Sequence, residues 1–169
     1  NRKHTIDEYL NIFDKLKKIN SRIEFSSDFI IGYPGENDQD FSETLELIKK
    51  IKFINSYSFI FSPRPGTIAA NLETIDQETS TDRLRKVQSQ LFENQISMNK
   101  ALENTTLSVL VENLTEDKKR VFGRSEYMTS VIFNGRKSDI GKIVNVKIEK
   151  SNRSTLFGKI INNSNQKVA

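Results

Sequence analysis

Two groups of residues in this chain have the types and spacing to do chemistry. The first surrounds Gly32-Tyr33-Pro34-Gly35-Glu36, which ends an apolar run and precedes a helix signal. Its glycines let backbone approach a ligand closely, and the N-terminus of the next helix favours an anionic group. A tight turn without a ligand is the equal alternative. A phosphate loop is not, because the GxGxxG and GxxxxGK patterns are both missing. Asp28 stands inside the apolar run. A buried, unpaired carboxylate is costly, so Asp28 either takes a hydrogen-bond partner in the fold or faces a polar cavity. Arg64 lies between Pro63 and Pro65, a guanidinium on a stiff loop. It suits recognition of a phosphate or carboxylate, or a local ion pair. The second group is Arg120, Phe122, Arg124, Tyr127, Phe133, Arg136, Lys137 and Lys142, which interleaves cations and rings. Alternation along strands puts several on one face, and such a face can hold single-stranded or looped RNA. Core aromatics with solvated lysines are the alternative. Phe122 and Phe133 read as core, which leaves Arg120, Arg124 and Lys142 as candidate RNA contacts. His4, the single histidine, reads as solvent-exposed.

The elements that must position these residues can be read from pattern. Thr5-Ile6-Asp7-Glu8 is a capping box, followed by Tyr9, Ile12, Phe13, Leu16 and Ile19 at helical spacing, with an end near Asn20. Ile23 to Ile31 reads as a strand. Asn37 or Asp38 caps a helix with Phe41, Leu45 and Ile48 on one face, and Tyr57 to Phe61 is a second buried strand. Strand, helix, strand at this spacing predicts a parallel pair. Two strands cannot close a sheet or barrel alone. Pro63 and Pro65 end the second strand. Residues 68–79 read as a polar connection. Ser80 or Thr81 caps a long helix to about Leu102, whose stripe of Leu84, Val87, Leu91, Met98 and Leu102 should lie on the first unit. After Asn104 come five short strands: Leu107–Val111, Arg120–Arg124, Thr129–Phe133, Ile143–Glu149 and Thr155–Ile161. Asn134-Gly135 is a strong turn signal. Five strands in so short a span predict a small closed barrel. Ser164 to Ala169 read as frayed.

Composition narrows the chemistry. Of 169 residues, 36% are hydrophobic and 28% charged, which suits a soluble chain. No apolar run approaches the roughly 18–20 residues that span a bilayer. The absence of cysteine excludes disulfides, thiolate catalysis and Cys-held clusters within this chain, and agrees weakly with the cytosol. Residues 1–103 carry 14 Lys+Arg and 16 Asp+Glu, whereas residues 104–169 carry 12 and 6. A basic unit on a slightly acidic one suggests either a polyanion-binding appendage or a solvated surface. The start, Asn1-Arg2-Lys3-His4-Thr5, has neither a signal-peptide core nor an initiator Met, and we expect a truncated chain.

Taken together these segments resemble the methylthiotransferase family of radical S-adenosylmethionine (SAM) enzymes. Arg2-Lys3-His4-Thr5 resembles the segment after the family's fourth barrel strand. Ser27 to Glu36 resembles its strand and PGE turn, with Ser27 where Thr is usual, and Tyr57 to Thr67 resembles the sixth barrel strand and its exit. Residues 105–162 resemble a TRAM domain, an RNA-binding five-stranded barrel. The implied fold is α/β plus all-β: residues 1–70 are the end of a partial radical SAM (β/α) barrel, 71–103 a connection and long helix, and 104–169 the TRAM β-barrel.

The resemblance implies that the whole enzyme uses SAM and two [4Fe–4S] clusters held by cysteines absent from this chain. It puts a methylthio group on C2 of an adenosine beside the tRNA anticodon. Ser62 to Ala70 looks most like the members that act on N6-dimethylallyl-adenosine at position 37. Members acting on threonylcarbamoyl-adenosine are the nearer competitors, and those acting on a ribosomal protein usually have acids where Arg64-Pro65 stands. Asp28, Gly32, Gly35 and Glu36 carry over as cofactor-binding lining of the SAM side. Arg64, Arg120, Arg124 and Lys142, read from their own chemistry, stay the RNA-binding candidates, and the implied partners are the tRNA anticodon stem-loop and the missing N-terminal portion. A cytoplasmic, non-membrane protein is implied, and this chain alone is expected to be catalytically silent. A non-catalytic TRAM-type RNA-binding module remains an alternative. So does a free-standing α/β ligand-binding protein, though it leaves the basic end unexplained.

Overall fold

The computed structural model describes residues 4–161. Helix α1 (Ile6–Ile19) opens on the expected capping box. The Thr5 hydroxyl accepts from the Glu8 amide, and the Glu8 carboxylate accepts from the Thr5 amide at 2.8 Å. Strand β1 (Asp28–Ile31) is shorter than the expected Ile23–Ile31, because residues ahead of it run extended without continuous pairing. Helix α2 (Asp38–Ile51) is capped by Asn37, with Asp40 completing a second capping box. Strand β2 (Tyr57–Ile60) lies parallel to β1, with Asp28 opposite Tyr57 and Ile30 opposite Phe59. Phe29 and Ile31 point into a core with Phe41, Ile48, Phe53 and Val87.

Helix α3 (Gln77–Ala101) begins earlier than expected. Asp76, rather than Ser80 or Thr81, is the cap, and its carboxylate accepts from the Thr79 amide at 2.8 Å. Ser80 is buried inside the helix instead. The apolar stripe also divides. Val87 and Leu91 pack on the α/β part, while Met98 and Leu102 pack on the barrel that follows.

That barrel is closed by β3 (Thr106–Leu114), β4 (Val121–Ser125), β5 (Ser130–Asn134), β6 (Ile143–Ser151) and β7 (Thr155–Ile160), in the order β3-β4-β5-β7-β6. Alternate residues such as Val109, Val111, Val131, Val146 and Leu156 fill its interior. Asn134-Gly135 does not make a hairpin. It starts a crossover, since β5 pairs parallel with β7. Closure needs sharp bends, and two glycines supply them opposite bulges in β3 and β6. A Cβ on Gly123 would come 2.3 Å from the Leu110 carbonyl oxygen, and one on Gly158 would come 2.2 Å from that of Lys147.

A row of side-chain amides on α3 joins the two parts. Asn94 donates to the Ile48 carbonyl of α2 at 3.1 Å. Gln95 accepts from the Asn55 amide at 2.8 Å, and the Asn55 side chain donates on to the Tyr127 carbonyl at 2.7 Å. Asn99, fully buried, donates to the carbonyls of Asn152 and Arg153 at 3.0 and 3.1 Å. Just past the helix, Glu103 takes both the amide and the hydroxyl of Ser151 at 2.9 and 2.8 Å.

Hydrogen bonds from Lys100 and then Ser151 hold the Glu103 carboxyl below its ordinary pKa. A carboxylate depressed on folding stabilises the fold above its unfolded pKa, and that contribution is lost as pH falls through the folded value. Glu103→Gln is therefore expected to lower the melting temperature at neutral pH and to flatten its decline on the acid side. Thermal melts from pH 7 down to pH 3 measure this; parallel curves for the two proteins would contradict it.

Candidate nucleic-acid interface

The turn after β1 is built as a clasp. Gly32 has φ +72°, and a Cβ there would meet the Ser80 hydroxyl at 2.5 Å, so only glycine lets the start of α3 pack so close. Its amide donates to Glu36 Oε2 at 3.0 Å. Glu36 Oε1 accepts from Arg83 Nη1 at 2.8 Å, and Arg83 Nη2 donates to Asp38 Oδ1 at 2.6 Å. Burial opposes the charge of Arg83, but its hydrogen bonds to Asp38 and Glu36 prevail and hold its pKa above the ordinary value. The guanidinium also lies over the Phe41 ring at 5.3 Å. Glu36 thus spends its carboxylate inside the fold, and Arg83 is the residue that sequence reasoning missed. No local pattern links two residues 47 positions apart.

Asp28 is exposed rather than buried. With Ile30, Tyr57 and Phe59 it occupies the face of the sheet opposite the core, and these three large side chains are 55–66% exposed. A Cβ on Gly35 would meet nothing within 4 Å, so that part of the turn is open. Asp28 and Gly35 are exposed, Gly32 is buried against Ser80, and the Glu36 carboxylate is committed to Gly32 and Arg83. Cluster thiolates are a different matter, since the chain has no cysteine. Among the described residues there is no group of three or more His, Cys, Asp or Glu that could hold a metal ion. Nor is any helix among them long and apolar enough to cross a membrane. Arg64 sits exposed beyond the C-terminal end of β2, its carbonyl accepting from the Thr67 hydroxyl at 2.8 Å.

On the barrel, Arg124 projects outward from β4. It donates to the Met128 carbonyl at 3.2 Å, lies 3.7 Å from a Glu112 carboxylate oxygen and covers the Phe122 ring at 5.5 Å. Phe122 is therefore not core; it shares Arg124's outer face, and only Phe133 is buried. Phe122, Ile132 and Phe157 stand side by side across β4, β5 and β7. Lys150 covers Phe157 at 5.3 Å. This strip of rings under cations escaped the sequence reading because β7 joins β5 only through the crossover. Lys142 is 62% exposed, 3.6 Å from Asp139, and next to the outward row Ile143–Leu110–Arg124. Arg120 lies at the other end of β4, where its backbone closes a turn with Thr115. The fold thus brings Arg124 and Lys142 to one end of the barrel wall and sets Arg120 and Arg64 apart.

Residues 100–161 match the family model of the TRAM domain, and residues 1–48 match that of the Radical SAM superfamily. The chain is 63% identical, over all 169 residues, to the tRNA-2-methylthio-N(6)-dimethylallyladenosine synthase of Pelagibacter ubique (strain HTCC1062); the match covers 100% of this chain and 38% of that protein. It is 43% identical over 161 residues to the protein of the same name in Ruthia magnifica subsp. Calyptogena magnifica, covering 95% of this chain and 36% of that one. With that of Wolbachia pipientis wMel the identity is 40% over 161 residues, covering 94% and 37%. The chain spans little more than a third of the length of these curated relatives.

The clasp has a direct test in stability. Removing one partner of a buried ion pair leaves the other uncompensated and typically costs about 3–5 kcal/mol. Arg83→Ala is expected to approach the lower end of that range in urea unfolding, because Asp38 can rehydrate. Arg83→Met, which keeps the packing on Phe41, should cost less. Equal and negligible losses for both would show that the clasp does not hold the turn.

Proposed function

We infer that this chain, a member of the radical SAM methylthiotransferase family by its whole-length likeness to those relatives, serves the modification of tRNA. The whole enzyme adds a methylthio group to C2 of N6-dimethylallyl-adenosine at position 37. Residues 1–70 supply part of the SAM-binding barrel, residues 71–103 the connection and strut, and residues 104–169 the tRNA-holding barrel. The observation that carries this is the 63% identity along the entire chain to a synthase of that name, joined to a TRAM match on the basic end. The three relatives named above also favour dimethylallyl-adenosine over threonylcarbamoyl-adenosine as the target.

SAM and two [4Fe–4S] clusters supply the radical chemistry when bound, and thiolates outside these 169 residues hold the clusters. Within this chain, Asp28, Gly32 and Gly35 border the SAM side. Glu36 acts by fixing the turn through Arg83. The rest of the enzyme pairs with the outer edges of β1 and β2, which are otherwise exposed. Arg64 faces the target region from the strand exit. The barrel wall bearing Arg124 and Lys142, with Arg120 at its far end, contacts the backbone of the anticodon stem-loop. Such chemistry belongs to the cytoplasm, where tRNA is available.

Phosphate contacts of this kind release counterions, so affinity should fall with salt. Each contact contributes roughly 0.7–0.9 to the slope of log K against log salt, and three or four contacts give about −2 to −4. A salt titration of the whole chain with an anticodon stem-loop RNA is expected to show that slope. Replacing Arg120, Arg124 and Lys142 together by alanine should make it shallower by about 2–3, without changing which stem-loop is preferred, because backbone contacts position rather than specify. A flat response in the native chain, or an unchanged slope in the triple variant, would rule out this wall as the tRNA surface.

A further inference from the structure

A cavity of about 420 Å³ opens where the two parts of the chain meet. The first residues of β2, the middle of α3, and the β4–β5 and β6–β7 turns line it. Its charged lining is Arg124 and Arg153, with no carboxylate among the described residues that form it. Two rings border it: Tyr57, 66% exposed, and Phe92, 42% exposed. The Arg153 guanidinium carbon sits 3.7 Å from the Phe92 ring centroid, a close cation–π contact whose outer planar face stays open. Met128 reaches in from the β4–β5 turn in a left-handed conformation, φ +60°, which a non-glycine residue adopts only at a cost. It is 62% exposed there, and its carbonyl takes the Arg124 hydrogen bond. Gln88 is half-buried in the wall, and its side-chain amide makes no hydrogen bond among the described residues.

We propose that this cleft binds one unpaired nucleotide of the RNA, with the base against Tyr57, Phe92 and Met128 and the phosphate on Arg124 and Arg153. The inference rests on the RNA-binding reading above and adds a site to it. The cavity lies in the size range of small-ligand sites, too small for a duplex. Exposed rings and a guanidinium plane beside open volume suit a base whose faces are free, and a paired base in a duplex does not offer them. The all-positive charged lining suits the attached phosphate. Gln88 supplies a donor and an acceptor to a base edge. The site shares Arg124 with the outer barrel wall but otherwise lies apart from it: Phe92 and Gln88 belong to α3, and Tyr57 belongs to β2.

The experiment uses the whole chain and a stem-loop RNA carrying 2-aminopurine in the loop, with a blunt duplex of equal charge as control. The native chain is expected to prefer the stem-loop and to change the loop fluorescence on binding. Phe92→Leu and Tyr57→Leu should each reduce the preference for the stem-loop over the duplex by about ten-fold and abolish the fluorescence change. Arg153→Lys keeps the charge but loses the planar stack, and it should do the same more mildly. An Arg120→Ala, Lys142→Ala double variant, confined to the outer barrel wall, should weaken both RNAs alike and keep the fluorescence change. Unaltered preference and fluorescence in the cleft variants, with salt-dependent binding intact, would overturn this inference alone. Absence of RNA binding by the native chain would overturn the functional reading and this inference together.

Discussion

The buried amide side chains of α3 are the constraint on which the arrangement depends. A hydrophobic stripe alone would let the helix slide or roll against either part. Asn94, Gln95 and Asn99 do not permit that, because each is tied to a particular backbone group of a neighbour. Once buried, an amide that loses its partner costs its full desolvation, about 1–3 kcal/mol for each group. Gln90 with Asn94, and Gln95 with Asn99, are also bonded along the helix, so each pair is held together as it reaches its neighbour. Asn55 carries it onward to Tyr127, linking the α/β part directly to the barrel.

Geometry follows from this row. At its N-terminal end α3 meets the C-terminal ends of the parallel strands, where Gly32, Glu36 and Arg83 form the clasp. Its 25 residues then run back past the strand beginnings, roughly 37 Å at 1.5 Å per residue, into the barrel. The open turn and Arg64 therefore lie at one end of the chain's α/β part. The cations of the barrel wall lie beyond the other end. Two surfaces so far apart suit an extended ligand better than a small one. The bare face of β1 and β2 runs between them, apolar apart from Asp28.

Much of this was legible beforehand because it is written in local pattern. Thr5 with Glu8, and Asn37 with Asp40, are capping boxes that short-range spacing reveals. Alternation located all five barrel strands, whose inward residues are mostly Val, Leu and Ile in period two. The parts that were not legible depend on distant partners. Asp76 caps α3, and Ser80 falls inside the helix against Gly32, a contact between positions far apart in the chain. Arg83 looked like any helix-surface cation until Glu36 and Asp38 came beside it. Asp28 read as a buried acid because the run around it is apolar, yet only one face of a two-stranded sheet is covered. Phe122 read as core because a large ring in a strand is usually buried, yet β4 turns Val121 and Gly123 inward and carries Phe122 on its outer face with Arg124. The amides of α3 carried no signal at all, since Asn and Gln at such positions ordinarily face water.

The fixed relation between the two parts can be measured directly, since a chain without cysteine accepts two labels cleanly. Spin labels placed at Lys49 on α2 and Lys147 on β6, both exposed, report the separation by pulsed electron resonance. The account requires one narrow distance distribution in the native background, and a broad one when Asn55 and Asn99 are both replaced by alanine. A broad or multimodal distribution in the native background would contradict it, as would a distribution that stays narrow without the two asparagines.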